Sequence, residues 1–581
     1  MSDIAALLQR LSHFVKAESE TQYQTLVDQW SRPLNERVAR GWAIEGISFD
    51  SSKGKYLRLR CTANDSRFRE GDTLVLHRSN PQDPNALHVE LQYDGGNELE
   101  VSLIKGNEIF LQEHPTGWVA DQDWFDSSPF YLSALDAVAD TQRGRSIILP
   151  LLQGKLIPRL DPARHERVAE LLKETELNYS QVEAVSESYA ADLLHLIQGP
   201  PGTGKTLVLA HLVKLLIQDG QRILVTALTH RAINNALNKI NKLDENIPVC
   251  KIGTSTSADD LLPENYRSFN SIPSEMLKDG YVIGATPFST QTKRLRGVEF
   301  DVVLFDEASQ VTLPLAIMGM LAGSKFIFIG DENQLPPISV LGSAKKPPDS
   351  IFTYLAGRGN ATMLDTTYRL NDMLTAWPSE TFYDGLLLSN EETSSKRLKL
   401  STTIATLWDD VLEPERPAVF VDLCHRNTTV RSQTEADVVV SLIQALLKRG
   451  LSPDEIGVVV PYRAQSRLIR SLLRRSLSDE KILRKLVVDT VERMQGQERE
   501  VIMVSFTTAS PVFATQVADF LFQPQRLNVA VTRPRNKLIL VGSHHLFDAE
   551  SASAEEAKPF ALMRSLIAAC DQITIPDGHL R

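Results

Sequence analysis

The sequence is poor in cysteine, in long apolar runs and in net positive charge, and each shortage excludes a class of protein. Its 581 residues include four cysteines, Cys61, Cys250, Cys424 and Cys570, with no CxxC pair among them. This spacing favours neither a disulfide framework nor a zinc cluster, and it fits a reducing compartment. Charged residues make up 23% of the chain and the net charge is −11. These values are typical of a globular protein without a global attraction to nucleic acid, so any such site must be local.

Membrane and targeting signals are also missing. The most apolar stretch, residues 311–323, contains Pro314 and is followed closely by Lys325, so it is too short to cross a bilayer. The N-terminus carries Asp3 and Glu18 and lacks both an apolar signal core and the Arg-rich composition of a transit peptide. The sequence therefore predicts a cytoplasmic location.

The length predicts about three or four structural units at roughly 150 residues each. Residues 1–40 have helical periodicity, whereas residues 43–123 consist of short alternating runs separated by turn clusters, which predicts a small β-barrel. Helical periodicity returns near Phe130 and continues towards Glu187.

Beyond residue 190, apolar strand-like runs alternate with helical segments in two series. The first series comprises residues 193–197, 222–226, 281–284, 302–305 and 326–329. The second comprises residues 418–422, 456–460, 501–505 and 538–541. Such alternation is typical of parallel sheets with crossover helices, so the sequence predicts two α/β units in tandem with a join near residues 365–375.

A glycine-rich run follows the first predicted strand of the first series and precedes a predicted helix at 207–218. Glycines at such a position let backbone N–H groups approach phosphate oxygens, Lys205 adds a point charge, and the Thr206 hydroxyl can hold Mg²⁺. The run therefore predicts a nucleotide-binding loop formed by Gly199, Pro200, Pro201, Gly202, Thr203, Gly204, Lys205 and Thr206.

Polar residues also follow the last two predicted strands of the first series. Asp306 and Glu307 come directly after residues 302–305; one carboxylate can hold Mg²⁺ and the next can polarise an attacking water. Residues 330–337 follow the next strand, where Gln334 could sense a γ-phosphate, although the run by itself also fits an ordinary loop with a turn. Together these residues predict nucleotide hydrolysis.

In order and in local context, these motifs resemble those of superfamily 1B helicases, in the group that contains the up-frameshift RNA helicases, the immunoglobulin-mu-binding helicase and the replication helicase-nucleases. The resemblance extends from Gln181 to Arg533. It implies an α/β fold with two tandem RecA-like P-loop NTPase domains, an N-terminal helical stalk and a small β-barrel, in which residues 68–72 are similar to a turn of the family. The implied units are residues 1–42 (stalk), 43–125 (barrel), 126–365 (stalk and first domain) and 366–581 (second domain).

The resemblance also assigns roles to residues. Residues 177–181 look like an adenine-reading motif, the Tyr368 ring is expected to stack on adenine, and Arg369 and Arg533 are expected to reach the γ-phosphate. The implied catalytic residues are Lys205, Glu307, Gln334, Arg369 and Arg533. The implied nucleotide contacts outside the glycine-rich loop are Gln181, Tyr368 and Glu498, and the implied metal ligands are Thr206 and Asp306. The implied nucleic-acid contacts are Thr229, His230, Pro461, Tyr462, Arg463 and Thr490.

The implied activity is ATP hydrolysis with Mg²⁺ in the cleft between two lobes, coupled to 5′-to-3′ movement along a single strand. Members of the group act on DNA and on RNA; the acidic isoelectric point of about 5.7 and the compact architecture favour DNA for this chain. An RNA helicase, or a nucleoprotein remodeller without strong unwinding, is the alternative.

Other features of the sequence allow further interpretations. Arg463, Arg467, Arg470 and Arg474 recur at helical spacing and could line a strand channel or form a solvated face. Residues 241–244 fit a guanine-recognition signature, but they precede Asp306, which argues against a GTPase. A ring-forming AAA ATPase and an ATP-dependent clamp fit less well than a helicase. His230, His544 and His545 have no further metal ligands near them in the sequence, so the sequence predicts no metal centre there.

Overall fold

The computed structural model describes residues 3–62, 64, 66–68, 71–254, 260–341, 350–401, 404–477, 479–548 and 554–575. Over these ranges, helices precede and support a small β-barrel, and two parallel α/β sheets follow. None of the helices in this part of the chain combines the length and the apolar character needed to cross a membrane.

The N-terminal region consists of two helices and a closed antiparallel barrel. The helices are α1 (Asp3–Trp30) and α2 (Leu34–Ala39). The barrel strands are β1 (Ala43–Lys53), β2 (Tyr56–Arg60), β3 (Thr73–His77), β4 (Leu87–Asp94), β5 (Glu98–Lys105) and β6 (Trp118–Gln122), with α3 (Glu108–Glu113) before the last. They close in the order β1-β2-β5-β4-β3-β6.

The barrel follows from the alternating pattern of its strands. In β4, Leu87, Val89 and Leu91 face inward and are buried, while the residues between them are partly exposed. Of the predicted family turn at 68–72, Phe68 packs into the barrel core, whereas Arg69 and Glu70 lie outside the described residues.

Several helices connect the barrel to the first sheet, where the sequence predicted one long helical region. They are α4 (Ser128–Asp140), a π-helical turn (Gly144–Ile148), α5 (Leu149–Leu152), α6 (Pro162–Leu172) and α7 (Tyr179–Ala190). Prolines at the first or second position of α4, α5 and α6 explain why the region divides into separate helices. Helix α1 packs against α4 and so attaches the stalk to the first lobe.

The first lobe is built on a sheet with strand order β10-β9-β11-β8-β12-β13-β7-β14, in which all pairings are parallel. Its strands are β7 (Leu194–Gln198), β8 (Arg222–Thr226), β9 (Val249–Ile252), β10 (Glu264–Tyr266), β11 (Tyr281–Gly284), β12 (Val302–Phe305), β13 (Lys325–Gly330) and β14 (Asn360–Met363). Its helices are α8 (Lys205–Gln218), α9 (His230–Leu243), α10 (Pro287–Thr290), α11 (Leu313–Met320) and α12 (Ile351–Leu355).

The second lobe is built on a parallel sheet with strand order β19-β18-β20-β21-β17-β22. Between the lobes lie β15 (Thr366–Thr367), α13 (Asp372–Phe382), β16 (Leu388–Ser389) and α14 (Glu391–Ser394). The strands are β17 (Ala418–Asp422), β18 (Ile456–Val460), β19 (Val487–Thr490), β20 (Arg499–Ser505), β21 (Pro534–Gly542) and β22 (Asp571–Thr574). The helices are α15 (Gln433–Lys448), α16 (Arg463–Ser476), α17 (Glu480–Lys485), α18 (Val491–Met494), α19 (Pro511–Gln516), α20 (Ala518–Leu521), α21 (Pro524–Val531) and α22 (Ala554–Ala568).

The two parallel sheets are confirmed, but the sequence missed strands at the sheet edges and misplaced several ends. Strand β14 has no fully buried residue, so it lacks the apolar run that identified the central strands. Strand β21 begins at Pro534 rather than at residue 538, because polar residues continue the strand beyond its apolar run. Helix α8 begins at Lys205 rather than at residue 207, directly after the glycine-rich loop.

Candidate nucleotide site between the two lobes

The glycine-rich loop joins β7 to α8 and wraps closely around its neighbours. Gly202 and Gly204 have φ angles of +77° and +82°, a region that side chains other than glycine rarely adopt. A Cβ atom on Gly202 would lie 2.5 Å from Thr367 Oγ1 and 2.6 Å from the Arg369 Cβ. Glycine at this position is therefore required both by the backbone conformation and by the approach of the segment that leads to the second lobe.

Lys205 is the cation of the loop and is half-buried. Its ammonium group donates hydrogen bonds to the carbonyl oxygens of Gly199 (2.5 Å) and Pro200 (3.4 Å). Burial lowers the pKa of Lys205, while the negative charges of Glu307, Asp331 and Asp306 act in the opposite direction. A desolvated ammonium at the start of a helix, next to backbone N–H groups, suits a phosphate group.

Asp306 and Glu307 directly follow β12. The neighbouring strand, β13, leads into the loop that contains Asp331. Asp306 is 7% exposed, and its Oδ1 accepts a hydrogen bond from the Glu307 backbone N–H at 2.9 Å. Burial and the adjacent charge of Glu307 raise the pKa of Asp306 to about 7. Glu307 has a φ of +51°, an uncommon conformation for a residue other than glycine that is often found at active sites.

The Glu307 carboxylate contacts both lobes. Its Oε2 accepts hydrogen bonds from Gln310 of the first lobe (3.4 Å) and from Gln495 of the second lobe (3.1 Å). Gln495 was not among the site residues predicted from the sequence. The position of the expected catalytic carboxylate therefore depends on the arrangement of the two lobes.

Arg369 and Arg533 approach the site from the side of the second lobe. Arg369 donates to the Glu498 carboxylate at 2.7 Å and to the Thr532 carbonyl at 3.1 Å. Arg533 is 2% exposed and donates to the Val529 carbonyl at 2.9 Å. Burial and the charge of Arg369 lower the pKa of Arg533 to about 9. Two guanidinium groups that repel each other in a buried position would be stabilised by an anion between them.

Glu498, a predicted nucleotide contact, forms ion pairs with Arg369 and Arg535. Burial alone would raise the pKa of Glu498, but the charges of these arginines outweigh it and hold that pKa below its ordinary value. The carboxylate therefore orients Arg369 in this conformation.

Gln334 lies in a buried network that links the lobes. Its amide donates to Asp331 Oδ2 at 2.8 Å, and the Tyr383 hydroxyl donates to the same oxygen at 2.7 Å. Asn528 of α21 donates to the Tyr383 oxygen at 2.8 Å and to the Asn333 carbonyl at 2.8 Å. Burial raises the pKa of Asp331. No sequence signal identified Tyr383, because it belongs to none of the motifs.

The expected adenine side contains Gln181 and Tyr368. Gln181 is buried; its Oε1 accepts from the Asn178 backbone N–H at 3.1 Å, and its amide donates to the Thr203 carbonyl at 3.0 Å. The Tyr368 backbone N–H donates to the Gly202 carbonyl at 2.9 Å, and its ring is 40% exposed. Gln181 thus supports the glycine-rich loop, and the partly exposed Tyr368 ring lies next to it.

The residues expected to bind Mg²⁺ provide oxygen atoms in a buried and acidic environment. Thr206 is the second residue of α8, and Asp306 follows β12. Nearby, the hydroxyl groups of Thr226 and Ser309 are buried without a hydrogen-bond partner among the described residues. A set of carboxylate and hydroxyl oxygens fits Mg²⁺, which prefers hard oxygen ligands and keeps several waters.

The predicted nucleic-acid residues lie at the carboxyl ends of strands. Thr229 caps α9 after β8, accepting from Ala232 N at 3.2 Å, and His230 begins that helix on the surface. Thr490 ends β19, and Pro461, Tyr462 and Arg463 follow β18. Arg533 instead immediately precedes β21, so it lies at the amino ends of the parallel strands of the second sheet. In the second lobe, the predicted nucleotide residue Arg533 and the predicted nucleic-acid contacts therefore lie at opposite ends of the strands.

The arginine face of α16 lines an open groove opposite the barrel. Arg463, Arg467, Arg470 and Arg474 share this groove with Arg67 of the barrel. Burial, together with the charge of Arg463, lowers the pKa of Arg67. Arg470 also donates to the Val488 carbonyl at 3.1 Å. The face is thus one wall of an open groove whose lining also contains Asp94 and Asp489, and the strand channel stays a prediction.

The guanine-recognition signature does not contribute to the site. Residues 241–243 are the last turn of α9, and Asp244 forms an ion pair with Lys214 at 3.1 Å. Asp244 also accepts hydrogen bonds from Asn246, which lowers its pKa. These contacts give the segment a structural role at the end of a helix.

Comparisons with known proteins point to one family. Two family models, each described as an AAA domain, match the chain, one at residues 181–340 and the other at residues 348–545. The DNA replication ATP-dependent helicase/nuclease of Saccharomyces cerevisiae is 29% identical over 437 residues, which are 69% of this chain and 28% of that protein. The DNA polymerase alpha-associated DNA helicase A of Schizosaccharomyces pombe is 30% identical over 430 residues, 63% of each chain. The structure of the Arterivirus nonstructural protein 10 helicase aligns with a TM-score of 0.37 at 13% identity, covering 91% of this chain and 82% of that one.

Proposed function

Because the chain belongs to the superfamily 1B helicases, in the group of the replication helicase-nucleases, we propose that it is an ATP-dependent helicase or translocase that moves along single-stranded nucleic acid. The observation that carries the proposal is the direct connection between the two lobes at the nucleotide site. Glu307 of the first lobe accepts a hydrogen bond from Gln495 of the second, and Asp331 is linked through Tyr383 to Asn528.

In the proposed ATP hydrolysis, each group has a role. Lys205 and the loop N–H groups bind phosphates, and Glu307 orients the attacking water. Thr206 and Asp306 would hold Mg²⁺, which when bound would neutralise charge on the phosphates. Arg369 and Arg533 stabilise the negative charge of the transition state, an effect typically worth about 10³–10⁵ in rate.

Hydrolysis can drive movement because the same residues hold the lobes together. Loss of the γ-phosphate removes the anion that favours the close approach of Arg369 and Arg533 to the first lobe. The lobes then separate, and a strand held at the carboxyl ends of β8, β18 and β19 moves with them. The groove between α16 and the barrel extends this path.

A preference for DNA and 5′-to-3′ polarity are part of the proposal. The two relatives compared above are named as DNA helicases, which supports DNA over RNA, and the polarity follows from the family resemblance. This chain spans only 28% of the yeast protein, so the activity of that whole protein is not carried over. The cytoplasmic location and the boundaries at residues 42, 125 and 365 also remain proposals.

The decisive experiment measures steady-state ATP hydrolysis without polymer, with single-stranded DNA and with single-stranded RNA, using Glu307→Gln as the blank. We expect strong stimulation by DNA and none in the variant. Turnover that is independent of polymer, or a preference for GTP, would refute the motor. Unwinding of duplexes with 5′ or 3′ overhangs then tests the polarity separately.

A further inference from the structure

Outside the nucleotide site, the fold brings together an aspartate, a cysteine and a histidine at the carboxyl ends of two strands of the second sheet. Asp422 ends β17, Cys424 follows two residues later, and His544 follows β21. Potential ligand atoms of the three side chains all lie within 4.8 Å of one another. The sequence predicted no metal centre at His544 because Asp422 is 122 positions away, but parallel pairing places Asp422 opposite Gly542.

The backbone holds this cluster in place. Asp422 Oδ1 accepts hydrogen bonds from the backbone N–H groups of Cys424 and His544, each at 3.1 Å. Its Oδ2 lies 2.7 Å from His544 Nδ1. Cys424 has a φ of +53°, an uncommon conformation for cysteine, and conformations of this kind cost about 1–3 kcal/mol and are concentrated at functional sites.

We propose that Asp422, Cys424 and His544 form a binding site for a divalent transition-metal ion of the zinc class. Thiolate, imidazole and carboxylate are the three ligand types that zinc uses in proteins. Metal–ligand bonds of about 2.0–2.3 Å place tetrahedral ligand atoms about 3.3–3.8 Å apart. Asp422 Oδ2 and His544 Nδ1 lie 2.7 Å apart, so these two atoms would have to separate slightly, whereas ligand atoms near the 4.8 Å limit of the cluster would have to approach by about 1 Å. Three protein ligands leave one coordination position for water or another ligand.

The cluster is accessible to an ion from solvent. Asp422 is 8% exposed, Cys424 is half-buried, and the His544 side chain is 49% exposed. In contrast, burial raises the pKa of Cys61 to about 11, and that of Cys250 and Cys570 to about 12. Those three thiols are consequently unsuited to ligate a metal at neutral pH, since ligation requires the thiolate.

The position of the site separates it from ATP chemistry. Strand β21 has nine residues, so its two ends are about 30 Å apart, with Arg533 before the first and His544 beyond the last. The site lies at the carboxyl ends of β17 and β21, on the same side of the sheet as the predicted strand contacts at the ends of β18 and β19. The loop after Cys424 is held in place there, because its Thr428 carbonyl accepts hydrogen bonds from the backbone N–H groups of Ala509 (2.9 Å) and Ser510 (3.0 Å). A bound ion would fix this loop, and the proposal does not depend on the proposed function.

The test uses the whole 581-residue chain, stripped with a chelator and then titrated with Co²⁺ and Zn²⁺. We expect one equivalent of Co²⁺ to produce a thiolate-to-cobalt charge-transfer band in the near ultraviolet, and Zn²⁺ to displace it. Cys424→Ser should abolish the band, and His544→Gln should weaken Zn²⁺ binding at least tenfold. His545→Gln and Cys570→Ser are the matched controls, because the His545 ring lies 3.9 Å from that of His544 but hydrogen-bonds to Asp548.

Two results would overturn the site: the absence of a thiolate–cobalt band in the wild-type chain, or a band that persists in Cys424→Ser. Zn²⁺ affinity that is unchanged in His544→Gln would remove the histidine from the ligand set and refute the site as proposed. Metal-free thermal unfolding and ATP hydrolysis at wild-type levels establish that both variants are folded. Asp422→Asn is avoided because Asp422 also binds the backbone.

Discussion

Asp306 gives the sharpest test of the electrostatics of the nucleotide site. Its carboxyl group is buried next to Glu307 and has a pKa of about 7, compared with about 3.9 in an unfolded chain. Between these values the folded protein binds more protons than the unfolded protein. The ionised form is therefore disfavoured in the fold, and stability falls as the pH rises from about 4 to about 7.

The size of the effect follows from the two pKa values. The linkage relation gives a loss of about 1–2 kcal/mol at pH 5 and about 4 kcal/mol at pH 8, relative to low pH. The neutral variant Asp306→Asn removes this dependence. Its stability relative to the wild type should therefore improve by about 2–3 kcal/mol between pH 5 and pH 8, without nucleotide or Mg²⁺.

Thermal unfolding at the two pH values measures this difference. For a lobe of roughly 240 residues, 1 kcal/mol corresponds to about 2–4 °C, so we expect the relative Tm of Asp306→Asn to rise by about 5–10 °C from pH 5 to pH 8. Asp301→Asn is the matched control: the hydrogen bond from Arg222 lowers the pKa of Asp301, so the pH dependence of this group lies below about pH 4 and the relative Tm of the control should not change between pH 5 and pH 8. A Tm difference between Asp306→Asn and wild type that does not vary with pH would refute the reasoning.

Three further predictions concern the contacts between lobes and the groove. Gln495→Ala removes a hydrogen bond to Glu307. Because Gln495 positions the Glu307 carboxylate, the variant should lower kcat about tenfold with little change in the KM for ATP. A change in KM alone would contradict this role. Tyr383→Phe deletes a buried hydroxyl with two partners and should cost about 1–3 kcal/mol, measured by thermal unfolding; an unchanged Tm would argue against the network. Reversing the charge of Arg467 and Arg470 should weaken strand binding and flatten its salt dependence; unchanged affinity at low salt would exclude the groove as a channel.

The local chemistry of the site was predictable from the sequence. The loop Gly199–Thr206 and the pair Asp306–Glu307 are contiguous runs that follow central strands, and each run carries its chemistry in its own spacing. Because central parallel strands are buried on both faces, their apolar runs are distinctive, and the α/β lobes followed from them, whereas the barrel followed from the alternating pattern of its antiparallel strands. Edge strands such as β14 were missed for the same reason, since they lack such runs.

Only the tertiary structure decided which distant residues meet. Periodicity reports that a residue is buried, but it does not say which neighbour buries it. The contact of Glu307 with Gln495, the link from Asp331 through Tyr383 to Asn528, and the order of the strands all depend on long-range packing. Long-range pairing also forms the proposed metal site. Strands β17 and β21 are adjacent and parallel and end side by side, which brings Asp422 and Cys424 close to His544.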